Sequence, residues 1–129
     1  MTAQDIKIQS SIHGRIDEQG KVLLPVIVIA SDGMEIEVEA SVNLEFDGYL
    51  AVHEDLARRV GWRCLGARRV VVGFETRVVD HYIGTVCLGS EPKNVVVLGG
   101  INKMAVVGQR LMAGRTLVCN FANGEVELK

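Results

Sequence analysis

Val42-Asn43-Leu44-Glu45-Phe46-Asp47-Gly48-Tyr49-Leu50 is the most informative stretch of this 129-residue chain. It follows a run that alternates cleanly. Met34, Ile36, Val38, Ala40 and Val42 fall on one face, and Glu35, Glu37, Glu39 and Ser41 on the other. A period of two marks a half-buried strand with an acidic outer face. Glutamates two apart on a strand ordinarily stay solvated, so no metal site is expected there. After Val42 the alternation stops and Asp47-Gly48 offers ordinary turn chemistry, so the stretch reads as a loop entered from a strand.

Outward from that loop, the chain is punctuated into short elements. Ile6 to Ile16 predicts a strand that ends at the polar turn Asp17-Glu18-Gln19-Gly20. Val22 to Ala30 is apolar throughout, the pattern of a strand covered on both faces, and Ser31-Asp32-Gly33 supplies a hairpin turn into Met34. Beyond the loop, His53 to Val60 predicts a helix: Leu56 and Val60 share a face, acids lead, Arg58-Arg59 close, and Gly61 is placed to end it. Trp62, the sole tryptophan, is expected to pack as an anchor. Arg68 to Val72 and Thr76 to Leu88 read as strands joined by a projecting hairpin at Gly73-Phe74-Glu75. Asn94 to Leu98 reads as a short buried strand, and Gly99-Gly100 is a joint without the pattern of a phosphate loop. Gln109 to Ala113 forms one helical turn after Val106-Val107-Gly108. Arg115 to Phe121 and Glu125 to Leu128 make a last hairpin around Ala122-Asn123-Gly124. About ten strands with two short helices indicate one all-β domain over residues 1–129, a barrel or a sandwich.

Composition narrows the function classes. Hydrophobic residues make up 48% of the chain, many of them Val, Leu and Ile, which favours a folded, strand-rich protein. With 14 basic against 16 acidic residues the net charge is −2, so no electrostatic case for nucleic acid arises. Arg58-Arg59 and Arg68-Arg69 are expected to be solvated surface charges. Cys64, Cys87 and Cys119 are far apart and never in a C-x-x-C pair. They are expected to be reduced thiols, mostly buried in strands, and with His13, His53 and His81 they offer no zinc spacing. No role beyond surface or packing is expected of those histidines, and no cofactor is expected. The apolar run from Val22 to Ala30 is too short to cross a membrane and contains Pro25, and no signal segment leads the chain. A soluble cytoplasmic protein is expected.

Three separated segments, in order, resemble the retropepsin-like (clan AA) aspartic peptidases of the small single-lobe type. In that family's bacterial members a strand runs into Val-Asp-Thr-Gly-Phe-x-Gly-x-Leu. Here Val42, Phe46, Gly48 and Leu50 keep the frame, while Asn43, Leu44 and Glu45 stand in the Asp-Thr-Gly places. The hairpin of Arg68 to Tyr82 stands in the place of the family's flap, and Val106-Val107-Gly108-Gln109-Arg110-Leu111-Met112 is similar to its apolar-apolar-Gly-x-x-Leu-Leu segment. The resemblance covers roughly residues 14 to 128 and implies a closed retropepsin-like barrel. It also implies a homodimer, with two copies of Asn43 facing each other at a two-fold axis beneath the hairpins, and Gly108 letting two segments cross behind the loop.

What the resemblance implies about chemistry is a loss. Aspartic peptidases use two facing carboxylates that share a proton, one as base toward water and one as acid toward the substrate carbonyl. An Asn43 amide can hydrogen-bond but cannot take up a proton near neutral pH. Leu44 replaces a threonine whose hydroxyl bonds across the dimer axis, and Glu45 replaces a close-approach glycine. The leading expectation is therefore a catalytically inactive dimer whose cleft binds an extended peptide, through Asn43, Leu44, Glu45, Gly73, Phe74, Glu75 and Gly108. Two alternatives stand beside it: an active peptidase using Glu45 or Asp47 as a substitute carboxylate, and a purely structural dimer.

Overall fold

The structure, a computed structural model, describes residues 11–72, 74–89, 91–100 and 103–129. Its first hairpin is the one the alternation predicts. Strands β2 (Val22–Ile29) and β3 (Glu35–Val42) pair antiparallel from Leu23–Ser41 to Ile29–Glu35. Asp32 Oδ1 accepts the Met34 N–H at 3.0 Å and so shapes the turn between them. On β3 the glutamates are exposed and Ala40 is fully buried. Arg15, on strand β1 (Ile12–Ile16), binds Glu39 through two contacts of 2.9 Å. The part of the first predicted strand before residue 11 lies outside the described residues.

Strand β2 is covered unevenly rather than on both faces. Leu24, Val26 and Val28 have no exposure, while Ile27 and Ile29 on the other face are half-buried. Along one edge, β2 serves two partners in turn. Val22 and Leu23 pair with β1, and residues Ile27 to Ile29 pair with strand β6 (Glu75–Cys87). Pro25 falls in the gap between those pairings, where a residue without an N–H is tolerated.

The β2–β6 pairing closes a ring. Around it run β2, β3, β8 (Ala105–Val107), β4 (Leu50–Val52), β7 (Lys93–Gly99) and β6. Strand β5 (Arg63–Val72) extends the sheet beyond β6. At the other end β1, β10 (Glu125–Leu128) and β9 (Leu117–Asn120) extend it beyond β2. The all-β barrel expectation holds, with ten strands among the described residues. Several elements differ from the sequence pattern, among them the strand β8 and the later start of β9 at Leu117. Residues Leu50–Val52 form a strand that turn-like neighbours concealed, because its pairing with β7 and β8 is wholly long-range. β5 begins at Arg63 rather than Arg68, because the long β6 pairs with it past a bulge between Cys64 and Gly66.

The single α-helix among the described residues, α1 (Glu54–Arg59), packs against the main core through Ala57 and Leu56. His53 caps it by accepting the Asp55 N–H at Nδ1, 3.2 Å away, and Glu54 pairs with Arg58 at 3.1 Å one turn on. Gly61, at φ 74°, turns the chain out of the helix as its position suggested. Trp62 then donates its indole N–H to the Ile29 carbonyl at 2.8 Å, and a Cβ at Gly84 would come within 2.9 Å of its ring. It is an anchor between α1, β2 and β6. A 3-10 turn, Gln109–Met112, leads from β8 toward the final hairpin, where Asn120 Oδ1 accepts the Ala122 N–H at 2.9 Å.

The interior is apolar throughout: Leu24, Val26, Val28, Leu50, Val97, Val107 and Leu128 have no exposure, and no polar side chain is buried among the described residues. Each such burial contributes about 2 kcal/mol of transfer free energy. The cysteines depart from expectation. All three lie on strands without a disulfide, but Cys64 is exposed and Cys87 and Cys119 are only partly buried, Cys119 at the edge of the main core. No helix of the described residues is long and apolar enough to cross a membrane.

Candidate functional site

Strand β3 delivers the loop of residues 43–49 by lying parallel to β8, with Val42 opposite Val107. The Asn43 N–H continues this ladder by donating to the Val107 carbonyl at 3.0 Å. The chain then turns sharply. Asn43 Oδ1 accepts the Glu45 N–H at 2.9 Å, and the Asn43 carbonyl accepts the Phe46 N–H at 3.2 Å. This is an Asx-type turn, in which a short polar side chain satisfies the backbone two residues on.

From the other side, the segment after β8 crosses the loop and stitches it down. The Gly108 N–H donates to Tyr49 O at 3.0 Å, the Gln109 N–H to Phe46 O at 3.0 Å and the Arg110 N–H to Gly48 O at 3.1 Å. The Gln109 side-chain amide donates to the Leu44 carbonyl. Gly108 is required by the closeness of this crossing: a Cβ there would stand 2.2 Å from the Gly48 carbonyl oxygen and 2.8 Å from that of Phe46. Both obstacles are backbone, which cannot swing aside. Its φ of −98° is unremarkable, so space and not conformation selects glycine.

Above this crossing lies an open cleft of about 910 Å³. Asn43, Glu45 and Asp47 line its loop wall, and Arg68 to Val71 of β5 line another. Its floor is a small apolar cluster separate from the main core. Ala51, Leu98 and Val106 are buried there, with Phe46, Val70 and Val96 packed against them. The cleft is rimmed by charge. Arg110 Nε lies 3.3 Å from Asp47 Oδ1 and 3.2 Å from the Asp47 carbonyl. The charge of Asp47 holds the Arg110 guanidinium above its ordinary pKa, with hydrogen bonds to Asp47 and Tyr49 adding to the effect. The Glu45 side chain, Arg68 and Arg69 make no ion pair or side-chain hydrogen bond among the described residues.

The sequence-predicted residues are thus divided. Asn43, Glu45 and Asp47 come together in the cleft wall. Leu44 is 60% exposed at the loop tip and does not line the cleft, and Gly108 lies behind the loop as a spacer. Phe74 is fully exposed at the hairpin end, and Glu75 beside it pairs with Arg77 at 3.4 Å. Gly73 lies outside the described residues. Sequence reasoning missed Tyr49, Arg110 and the floor residues, which four separate strands and the crossing segment bring together. It placed Arg68 and Arg69 correctly on the surface but gave no sign that this surface is a cleft wall. Among the described residues no three His, Cys, Asp or Glu side chains are grouped so as to hold a metal ion.

No family model and no curated protein matches the chain. Among solved structures, a retropepsin-like aspartic protease from Rickettsia conorii matches with a TM-score of 0.69 and 13% identity, over 92% of this chain and 89% of that one. The chain therefore has the retropepsin-like fold, which the loop from Val42 to Leu50 and the Gly108 segment had indicated.

Proposed function

We propose that this protein is a single-domain, catalytically inactive relative of the aspartic peptidases that dimerises and binds an extended peptide in its cleft. The observation that carries this is Asn43. The residue in the place of the family's catalytic aspartate is a carboxamide, and its Oδ1 is occupied by the Glu45 N–H. An amide in that position can hold a turn and offer a hydrogen bond, but it supplies no general base. Peptide binding needs no such base. β5 borders the cleft and pairs only with β6 among the described strands, leaving its other edge to receive an extended segment by strand-like hydrogen bonding. Dimerisation is supported by Leu44, a large apolar side chain 60% exposed at the loop tip, which a two-fold axis at Asn43 would cover with its own copy.

A specific observation favours one competing reading. Glu45 is a carboxylate in the cleft wall without an ion-pair partner among the described residues, whereas Asp47 is engaged by Arg110. If a substitute carboxylate acts, it is Glu45. A peptidase assay at acidic pH on the wild type, on Glu45→Gln and on the triple change Asn43→Asp, Leu44→Thr, Glu45→Gly separates the readings. The expected result is no cleavage by wild type and detectable cleavage by the repaired triple variant. Cleavage by wild type that disappears in Glu45→Gln would overturn the inactive reading. A sedimentation measurement giving monomer alone at all concentrations would remove the shared two-fold site.

A further inference from the structure

We infer that the cleft takes an acidic peptide segment with an apolar centre: its carboxylates meet the arginines of the β5 wall, Arg68 on the face of Val70 and Arg69 across the strand edge, and an apolar side chain seats on the floor of Val70, Val96, Leu98 and Val106. This rests on the peptide-binding reading above and names the class of peptide. Its basis is a local reversal of charge. The whole chain carries a net charge of −2, and the outer face of β3 presents Glu35, Glu37 and Glu39 to solvent. The cleft carries the opposite sign, because Arg68, Arg69 and Arg110 line it against Glu45 and Asp47.

Within that set the pairing is uneven. Asp47 and Arg110 offset each other at 3.3 Å, which leaves two arginines on the β5 wall, Arg68 on the face it shares with Val70 and Arg69 on the other, and one carboxylate on the loop wall. Arg68 and Arg69 make no ion pair with Glu45 or with any other described residue, so their donors are available to a ligand. Guanidinium donors suit carboxylates in particular, through paired N–H contacts. The apolar floor sets the second requirement. It forms a cluster of its own beneath the cleft, apart from the main core, and Val70 and Val96 remain partly exposed in it. Placing the ligand's carboxylates at β5 also keeps them on the wall opposite in sign, away from Glu45.

Fluorescence anisotropy with three labelled peptides tests this: one with Val and Leu flanked by Glu, its Gln counterpart, and its Lys counterpart. Wild type is expected to bind the Glu peptide about fivefold more tightly than the Gln peptide at low salt. That preference should shrink as salt is added and vanish in the double variant Arg68→Gln, Arg69→Gln. The salt series on wild type stands even if the double variant folds poorly. Equal or tighter binding of the Gln or Lys peptide by wild type would overturn the acidic preference while leaving peptide binding in place. No binding of any of the three would overturn both.

Discussion

The barrel interior and the loop of residues 43–49 are built on different principles. The interior holds its shape by side chains: Leu24, Val26, Val28, Leu50 and Val97 are fully buried around the ring, and the register of β2 against β3 follows from which residues must face inward. The loop holds its shape mainly by backbone hydrogen bonds. Its anchors are the N–H groups of Asn43, Gly108, Gln109 and Arg110 and the carbonyls of Phe46, Gly48, Tyr49 and Val107, joined by the side-chain amides of Asn43, on the Glu45 N–H, and Gln109, on the Leu44 carbonyl, while Leu44, Glu45 and Asp47 project outward and are exposed. A loop fastened in this way tolerates exchange of its projecting residues. That is how residues as different as Asn43, Leu44 and Glu45 can stand exposed within the frame of Val42, Phe46, Gly48 and Leu50.

The contrast can be broken by mutation. Leu24→Ala, which empties a fully buried site, should cost about 3 kcal/mol of global stability in urea unfolding. Gly108→Ala should cost about 2 kcal/mol, because its Cβ meets backbone at 2.2 Å. Its signature should also be local: amide exchange at Gln109 and Arg110 should speed up more than exchange in β2. Uniform acceleration across the molecule would show that the loop and the barrel unfold as one unit. The triple change Asn43→Asp, Leu44→Thr, Glu45→Gly should shift stability by less than about 1 kcal/mol, within the range of exposed substitutions. A loss as large as that of Leu24→Ala would refute the claim that loop side chains are independent of the frame.

The smallest effect concerns the thiols. Burial, with a lesser contribution from Glu35, raises the Cys87 thiol above its ordinary pKa, so the neutral form is favoured in the folded protein. Its thiolate should therefore form only at higher pH than that of an ordinary cysteine, and labelling of Cys87 by a disulfide reagent should lag that of exposed Cys64 through the alkaline range. Equal rates at every pH would mean that the ring opens at the β2–β6 closure often enough to expose Cys87.

Much of this architecture was legible in the chain because it depends on local periodicity. The alternation from Met34 to Val42, the hairpin at Asp32-Gly33, the helix ended by Gly61 and the Asn123-Gly124 turn all declare themselves within a few residues. Strand β4 did not, since its three residues become a strand only when β7 and β8 supply partners. The early start of β5 was hidden for the same reason, and the cysteines were misjudged because strand membership does not say which face looks inward.

By itself, the sequence determined most of the elements and the loop frame from Val42 to Leu50 with an amide at Asn43, since local periodicity and side-chain type decide these without reference to distant parts. Only the tertiary structure decided that Arg110 engages Asp47, that Glu45 stands in the cleft wall without an ion pair, and that Arg68 and Arg69 share that cleft with an apolar floor drawn from β4, β5, β7 and β8. The sheet order β5-β6-β7-β4-β8 brings those residues together, and no spacing along the chain encodes that order.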